Sequence, residues 1–306
     1  MQRIRGSYAL AVMFKEYPEL IYAARKDSPL VIGVKNDAAF LASDVTPIIR
    51  YTKQVYYIGD EQVAELGKGT AKFYNLDQEE IKIEPKQVTW DAEAAEKNGY
   101  EHFMIKEIHE QPNAVKDTIN SVIKDGKINL KEIGIDQESS KKIHKITIVG
   151  CGSAYHVGVA AQYVIETLAR IPVRVELASE YRYRNPIVNE NDLVIVISQS
   201  GETADSLAAL RLSKKRKART LGIVNVIGSS IAREADHVFY IVAGPEIAVA
   251  TTKAYSAQLI AIYILAIQLG IYNGNISQEN SERLITELKT IPDKMKKVLE
   301  DKERIQ

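Results

Sequence analysis

The sequence has a single cysteine, Cys151, so no disulfide can form within its 306 residues. Its five histidines belong to no His-Glu-x-x-His motif and to no Cys/His cluster with metal-ligand spacing. These absences argue against a secreted disulfide scaffold and against a structural metal. They favour the reducing environment of the cytoplasm.

The chain also lacks an excess of either charge. Forty lysines and arginines balance forty aspartates and glutamates, which removes the long-range attraction that binders of nucleic acid or anionic membranes use. No apolar run is expected to reach the roughly 18 residues that cross a bilayer, and the N-terminal residues show no signal-peptide core. We therefore expect neither nucleic acid nor a membrane as a partner, and a small polar substrate or another protein instead.

The composition is that of an ordinary globular protein, and the sequence changes character between two parts. Hydrophobic residues make up 45% of the sequence and charged residues 26%, which is typical of a globular protein. At about 150 residues per domain, the 306 residues predict two domains. Residues 1–84 show short alternating runs separated by turn formers, which predicts sequential hairpins of an antiparallel sheet. Little of this stretch predicts helix, so one face of the sheet is expected to stay uncovered. Residues 85–100 are polar and predict a linker.

Residues 101–306 change character. One or two helices, broken at Pro112, are predicted over residues 101–124. Beyond them, five nearly continuous Val- and Ile-rich runs alternate with helical patterns, which is typical of strands buried on both faces. The alternation predicts an α/β domain of three layers around a five-stranded parallel sheet. The predicted strands cover residues 145–149, 173–178, 193–197, 220–226 and 237–242.

The loops after the first and third of these strands contain the candidate binding residues. Ligands of parallel sheets bind beyond the carboxyl ends of the strands, and there the chain places residues 151–153 and residues 198–203. Ser198, Ser200 and Thr203 surround a glycine at a predicted helix start, where free N–H groups and the helix dipole favour an anion. This pattern fits a phosphate site, and it fits equally a plain helix cap at Ser200 after a strand that ends at Ser198.

Other interpretations of these loops are weaker. The third glycine of a dinucleotide motif would fall at Tyr155, whose side chain blocks the approach of a pyrophosphate. A cysteine after a buried strand is commonly packing rather than a nucleophile, and no carboxylate is placed to orient His156 as a base. Thr251, after the fifth strand, is predicted to add a wall to the same pocket. Residues 181–184 are either an interface or a pocket rim.

Taken together, these motifs resemble one enzyme family. Residues 198–205 (SQSGETAD), Cys151-Gly152, residues 178–184 (ASEYRYR) and residues 249–254 (VATTKA) resemble the first sugar isomerase (SIS) domain of the glucosamine-6-phosphate synthases, which are isomerising glutamine:fructose-6-phosphate aminotransferases. Residues 106–112 (KEIHEQP) resemble the helix before that domain. Residues 5–44 resemble the latter half of the family's Ntn-type, mainly antiparallel glutaminase domain, so the resemblance covers nearly the whole chain.

The resemblance implies a site for a hexose 6-phosphate, either fructose 6-phosphate or glucosamine 6-phosphate, with no cofactor and no metal. In this family, ammonia from glutamine is transferred to the ketose and a proton then moves between C1 and C2. Because SIS domains usually pair, the resemblance also implies a homodimer or a partner chain. It implies substrate contacts, and no catalytic role, for Cys151, Gly152, Ser153, Ser198, Gln199, Ser200, Thr203, Val249 and Thr251.

Departures from the family pattern limit the activity we expect. Family members begin, after Met removal, with a nucleophilic cysteine, but here Gln2 follows Met1, and no counterpart of the family's second SIS domain precedes Gln306. Ala154 also stands where family members often have serine. We therefore expect a partial aminotransferase that is inactive alone. The alternative hypothesis is a stand-alone sugar-phosphate-binding or regulatory module.

Overall fold

The computed structural model describes residues 3–88 and 97–304, and the chain divides into two compact units, Met1–Glu96 and Lys97–Gln306. All the described α-helices belong to the second unit. Residues 89–96, which fall in the predicted linker 85–100, lie outside the described residues.

In the described part of the first unit, nine strands pair antiparallel, which confirms the predicted mainly antiparallel character, but they form two sheets rather than the one that the sequence predicted. The strands are β1 (Tyr8–Phe14), β2 (Tyr17–Lys26), β3 (Val31–Lys35), β4 (Ala38–Ala42), β5 (Gln54–Tyr57), β6 (Val63–Gly67), β7 (Thr70–Tyr74), β8 (Glu80–Ile81) and β9 (Lys86–Gln87). One sheet has the order β1-β2-β6-β7-β8 and the other the order β4-β3-β5-β9. The last strand, β9, lies within the range predicted as a linker.

The two sheets cover each other, which corrects the expectation of an uncovered inner face. Ala23, Ile32, Ala64 and Phe73, drawn from both sheets, belong to one buried cluster, and the rings of Tyr56 and Phe73 lie 5.1 Å apart. The sequence pattern missed this arrangement because alternation shows which residues face a core, but not which strands share a sheet. Apolar side chains remain exposed at Val12, Met13, Phe14 and Tyr17.

The second unit is the predicted three-layer α/β domain. Its strands are β10 (Ile123–Lys124), β11 (Lys127–Ile128), β12 (Lys145–Gly150), β13 (Val173–Leu177), β14 (Asp192–Ser198), β15 (Arg219–Val224) and β16 (His237–Tyr240). Its helices are α1 (Phe103–Val122), α2 (Gln137–Lys141), α3 (Ser153–Leu168), α4 (Ala178–Tyr183), α5 (Ala204–Lys215), α6 (Ser230–Glu234), α7 (Lys253–Tyr272) and α8 (Gln278–Glu300). Strands β12 to β16 form one parallel sheet, and this confirms the five predicted strands.

The central strand β14 contributes alternate side chains to two cores. Leu193, Ile195 and Ile197 belong to the cluster that α1, α3 and α7 complete on one face. Val194 and Val196 belong to the cluster that α4, α5 and α6 complete on the other face. Burial on both faces is the reason that these strands are nearly continuous apolar runs.

Helix α1 is continuous through Pro112, where the sequence predicted a break. A proline at this position leaves the carbonyl of Ile108, four residues earlier, without its backbone donor. The side-chain Nε2 of Gln111 donates a hydrogen bond to that oxygen at 3.1 Å. This bond replaces the missing one, and the helix runs for 20 residues.

Helix α7 corrects the expectation about long apolar runs. It has 20 residues and a mean hydropathy of 1.7 over its most apolar window, enough to cross a membrane by length and composition. Gln258 and Gln268 interrupt the apolar residues, so a count of unbroken runs overlooks this helix. Because 72% of the window is buried inside the unit, where α7 joins the same apolar cluster as α1 and α3, its character is that of a core helix.

The chain reverses its direction across the parallel sheet between β12 and β14. The strand order is β13-β12-β14-β15-β16, so the chain leaves β12 toward one edge and leaves β14 toward the other. Helix α3 follows β12 and packs on one face, whereas α5 follows β14 and packs on the opposite face. Such a reversal opens a crevice at the carboxyl ends of the two strands.

Candidate functional site

This crevice is a cleft of about 350 Å³, a volume within the range of small-molecule sites. Its walls are the loops after β12 and β14 and residues 245–251. We call residues 245–251 the wall loop; they belong to the connection between β16 and α7. All nine residues that the sequence analysis put forward line this one cleft, and their contacts with a substrate stay predictions. Sequence reasoning missed six further lining residues as contacts: Ala154, Ile197, Glu246, Ala248, Ala250 and Gln258.

Residues 198–203, which we call the serine turn, are organised by the hydroxyl of Ser198. This side chain is 3% exposed, its Oγ accepts the N–H of Gly201 at 3.0 Å, and it lies 3.0 Å from Oγ1 of Thr203. The hydroxyl of Ser200 is half-buried, and its Oγ accepts the N–H of Glu202 at 3.2 Å. No acceptor among the described residues takes the Ser200 proton. Ser198 therefore holds the turn, whereas Ser200 keeps a donor for a ligand.

Two carboxylates lie close to the serine turn, but each is bound to a neighbouring group. Oε1 of Glu202 accepts the backbone N–H of Ser230 at 2.7 Å. Oδ1 of Asp205 lies 2.8 Å from Nη1 of Arg182. Neither of these two carboxylates lines the cleft, so among the described lining residues Glu246 is the carboxylate that an anion would meet. Arg182, in the stretch interpreted as an interface or a rim, is also absent from the lining.

Three helices begin at the cleft, and they differ in how their first N–H groups are satisfied. Helix α3 follows Gly152 and helix α5 follows Thr203, and within the described residues neither start has a side-chain cap. At α7, Oε1 of Glu246 accepts the N–H of Thr252 at 2.9 Å and that of Ala254 at 3.1 Å. The start of α7 thus already holds a carboxylate, whereas the starts of α3 and α5 are open to an anion from outside.

The described lining residues offer binding groups and little acid–base chemistry. No lysine, arginine or histidine lines the cleft, and its titratable side chains are Cys151 and Glu246. Sγ of Cys151 lies 3.8 Å from Oγ of Ser206, which does not itself line the cleft. Within residues 3–88 and 97–304, no group of three or more His, Cys, Asp or Glu could hold a metal ion.

Behind the wall loop lies a buried polar cluster that sequence reasoning did not find. Oε1 of Glu107, on α1, accepts the N–H groups of Ile247 at 2.7 Å and Ala248 at 3.1 Å. Burial raises the pKa of Glu107, with these two N–H donors opposing the rise. Nζ of Lys253 lies 2.7 Å from Oε2 of Glu110. These partners are about 140 positions apart in sequence, so no local pattern could have indicated them.

A second and larger cavity differs in chemistry. It measures about 480 Å³ and lies between α3, α7 and α8, where mainly aliphatic and aromatic side chains line it. Its charged residues, Glu287 and Lys294, already form an ion pair at 2.9 Å. The lysine that lines this cavity is therefore already paired with a carboxylate.

Comparison with known proteins agrees with the family resemblance. Residues 140–268 match the family model of the SIS domain. The chain is 53% identical, over its whole length, to the glutamine–fructose-6-phosphate aminotransferase (isomerizing) of Caldanaerobacter subterraneus subsp. tengcongensis, and 41% identical to that of Methanosarcina acetivorans. It spans about half the length of the curated relatives it matches, 50% in each of these two.

A solved structure supports the same conclusion. The C-terminal domain of glucosamine-fructose-6-phosphate aminotransferase from Francisella tularensis is similar to this chain with a TM-score of 0.66 and 41% identity. The match covers 69% of this chain and 59% of that one. The resemblance to this family and the SIS fold of the second unit are therefore confirmed.

Proposed function

From the confirmed resemblance to the glutamine–fructose-6-phosphate aminotransferases, we propose that the second unit binds a hexose 6-phosphate in the cleft, either fructose 6-phosphate or glucosamine 6-phosphate. The chain would contribute this site to the isomerising aminotransferase reaction of amino-sugar biosynthesis. The observation that carries the proposal is the convergence of the serine turn and two uncapped helix starts on one cleft. An anion is the ligand that such an arrangement stabilises.

The phosphate group would be held by neutral donors. In this proposal it accepts hydrogen bonds from Ser200, Thr203, the side chain of Gln199 and backbone N–H groups of the serine turn and of the loop at Gly152. Each bond to a charged oxygen is stronger than a bond between neutral groups, so several of them replace the lysine or arginine that the described lining lacks. The sugar would extend toward Val249 and Thr251 of the wall loop.

In the proposed reaction, the unit positions the sugar rather than moving protons. Ammonia derived from glutamine would add to the ketose carbonyl, and a proton would then move between C1 and C2. Of the two titratable lining residues, Glu246 accepts bonds from the wall loop and the start of α7, and Cys151 faces Ser206. We assign binding and orientation to this cleft, and the proton transfer to groups outside the described lining.

Titration calorimetry with fructose 6-phosphate tests the proposal. Replacing Ser200 by alanine removes a donor to the phosphate, and losing such a bond costs about 1 to 3 kcal/mol, which raises Kd by about fivefold to 150-fold. Ser121→Ala is the matched control, because its hydroxyl donates to the carbonyl of Thr118, within helix α1 and away from the cleft. Fructose without a phosphate is the control ligand.

We expect the wild-type chain to bind fructose 6-phosphate, the Ser121 variant to bind it equally well and the Ser200 variant to bind it more weakly. Fructose should give no comparable heat. Equal affinity of the wild-type and Ser200 variants would show that this serine only shapes the turn. Absence of binding to the wild-type chain would contradict the proposed function.

The surroundings of the site also belong to this proposal. We propose a cytoplasmic location, in line with the single cysteine, which cannot form a disulfide within the chain. A second copy or a partner chain is proposed to pair with the SIS unit, as the family resemblance implies.

A further inference from the structure

The wall loop has neither helical nor strand hydrogen bonding of its own, yet five of its seven residues line the cleft. Two carboxylates fix its backbone. Glu246 accepts the hydroxyl of Thr251 at 2.7 Å and the N–H groups that begin α7. Glu107 accepts the N–H groups of Ile247 and Ala248 with a single oxygen, Oε1. The shape of this wall thus depends on side chains rather than on a backbone ladder.

Glu107 reaches the wall loop from helix α1, which lies outside residues 140–268 of the family match and does not line the cleft. Its contact is one of a series that α1 makes with the segment from β16 to α7. Oγ1 of Thr118 accepts the N–H of Val242 at 3.0 Å, Glu110 pairs with Lys253, and Oε1 of Gln111 accepts the hydroxyl of Ser256 at 2.6 Å. Helix α1 therefore determines where this segment lies.

The environment of Glu107 is unfavourable for a carboxylate that only fills space. The residue is 1% exposed, and its second oxygen, Oε2, is buried without a hydrogen-bond partner among the described residues. A buried polar atom without a partner reduces stability, and an apolar side chain of similar size would avoid that cost. What an apolar side chain would not provide is an acceptor for two backbone N–H groups of the cleft wall.

We propose that Glu107 is a positioning residue for hexose 6-phosphate binding, which fixes the wall loop from behind and never touches the ligand. The proposal rests on the proposed function of the cleft. On this proposal helix α1 contributes to the sugar-phosphate site through Glu107, although the SIS family match begins after this helix. The alternative is that the two hydrogen bonds serve stability alone and leave the affinity of the cleft unchanged.

Two variants separate the position of the acceptor from its charge. Glu107→Gln keeps the chain length and an oxygen that can accept both N–H groups, so we expect Kd for fructose 6-phosphate to stay within about threefold of wild type. Glu107→Asp keeps the carboxylate but shortens the side chain by one methylene, so its oxygen falls short of the loop. We expect this variant to raise Kd by about tenfold or more. If the negative charge were what mattered, Glu107→Gln would raise Kd more than Glu107→Asp. We expect the opposite order, because the position of the acceptor oxygen is what matters.

Hydrogen exchange reports on the loop directly. The amides of Ile247 and Ala248 should exchange about tenfold faster in Glu107→Asp than in wild type, while the amides of β14 keep their rates. Glu176→Ala is the matched control, because Glu176 is also a buried carboxylate of this unit, paired with Arg174 and Arg184 and absent from the cleft lining. This control should lower stability without changing Kd or the exchange of the wall loop.

The outcomes distinguish this inference from the proposed function. If the wild-type chain does not bind fructose 6-phosphate, the proposed function fails. If wild type binds and Glu107→Asp binds equally well, the positioning role is refuted, whatever happens to stability. If Glu107→Asp loses affinity while exchange at Ile247 and Ala248 stays slow, the loss has another cause and the inference fails. If Glu107→Gln and Glu107→Asp weaken binding equally, position is not the property that matters, and the inference fails as well.

Discussion

Gly201 is the point in the serine turn where one added carbon atom should do the most damage. Its φ is +66°, a left-handed conformation, and an added Cβ would lie 2.1 Å from Oγ and 2.6 Å from Cβ of Ser229. Ser229 is fully buried and cannot move into solvent. The N–H of Gly201 donates to Ser198, and its carbonyl accepts the N–H of Ile231 at 3.0 Å. A shift of this residue therefore disturbs both the turn and the start of α6.

The size of the effect follows from two separate costs. A left-handed backbone costs an alanine about 1 to 2 kcal/mol, and overpacking in a filled interior costs about 1 to 3 kcal/mol. The lower entropy of the unfolded alanine chain recovers less than about 1 kcal/mol. We expect Gly201→Ala to lower the free energy of unfolding of the second unit by about 2 to 4 kcal/mol.

Gly126→Ala is the matched control for the backbone cost. Gly126 lies in the turn of the β10–β11 hairpin with a φ of +74°, and an added Cβ would meet nothing within 4 Å. Urea unfolding followed by helical circular dichroism reports on the second unit, which contains all the described helices. The control should lose only the backbone part of the stability and keep its affinity for fructose 6-phosphate. Equal loss in both variants, with Gly201→Ala still binding the ligand at wild-type affinity, would refute the role given to the serine turn.

Two further predictions concern a thiol and a histidine. Cys151 is half-buried in the cleft wall and is the single cysteine, so saturating fructose 6-phosphate should slow its alkylation, followed by mass spectrometry. Fructose should not slow it, and equal rates with both sugars would mean that the phosphate binds elsewhere. Burial lowers the pKa of His237 from its ordinary 6.5, so the unfolded chain takes up the proton first as the pH falls. Above pH 6.5 His237 is neutral in both states and costs the folded chain nothing. As the pH falls below 6.5, the free energy of unfolding decreases, because the unfolded chain binds the proton more tightly. Urea titrations at about pH 7.5 and about pH 5.5 should therefore show a smaller loss for His237→Gln than for wild type, and equal losses would contradict the assignment.

The parallel sheet and the cleft could be predicted because their signals are local. Strands such as β14, buried on both faces, appear as unbroken Val and Ile runs. Once the strands are known to be parallel, their carboxyl ends must meet at one edge of the sheet. That rule predicts that the loops with Cys151 and Ser200 lie at the same edge, and the structure places Thr251 in the same cleft.

The features that sequence reasoning missed depend on distant partners. In the first unit, the pairing of β2 with β6 and of β3 with β5 builds two sheets, and no spacing of turn residues specifies which strands pair. Pro112 suggested a helix break because proline lacks a backbone N–H donor. The spacing of apolar residues does not reveal that the side chain of Gln111 supplies the missing hydrogen bond. Glu107 contacts the wall loop about 140 positions later in the sequence, so no local pattern in α1 indicates this contact.

The charges around the cleft also indicate which way the proposed sugar phosphate would point. The carboxylate of Glu246 occupies the start of α7, and two like charges 4 Å apart repel by about 4 kcal/mol at the effective dielectric constant near a protein surface. A dianionic phosphate is therefore disfavoured at α7 and favoured at the uncapped starts of α3 and α5, beside Ser200. In the proposed complex the sugar would extend toward the wall loop, where Val249 and Ala250 are exposed. In the proposed complex the serine turn would bind the phosphate group, and the wall loop, whose Ile247 and Ala248 N–H groups donate to Glu107, would lie against the sugar.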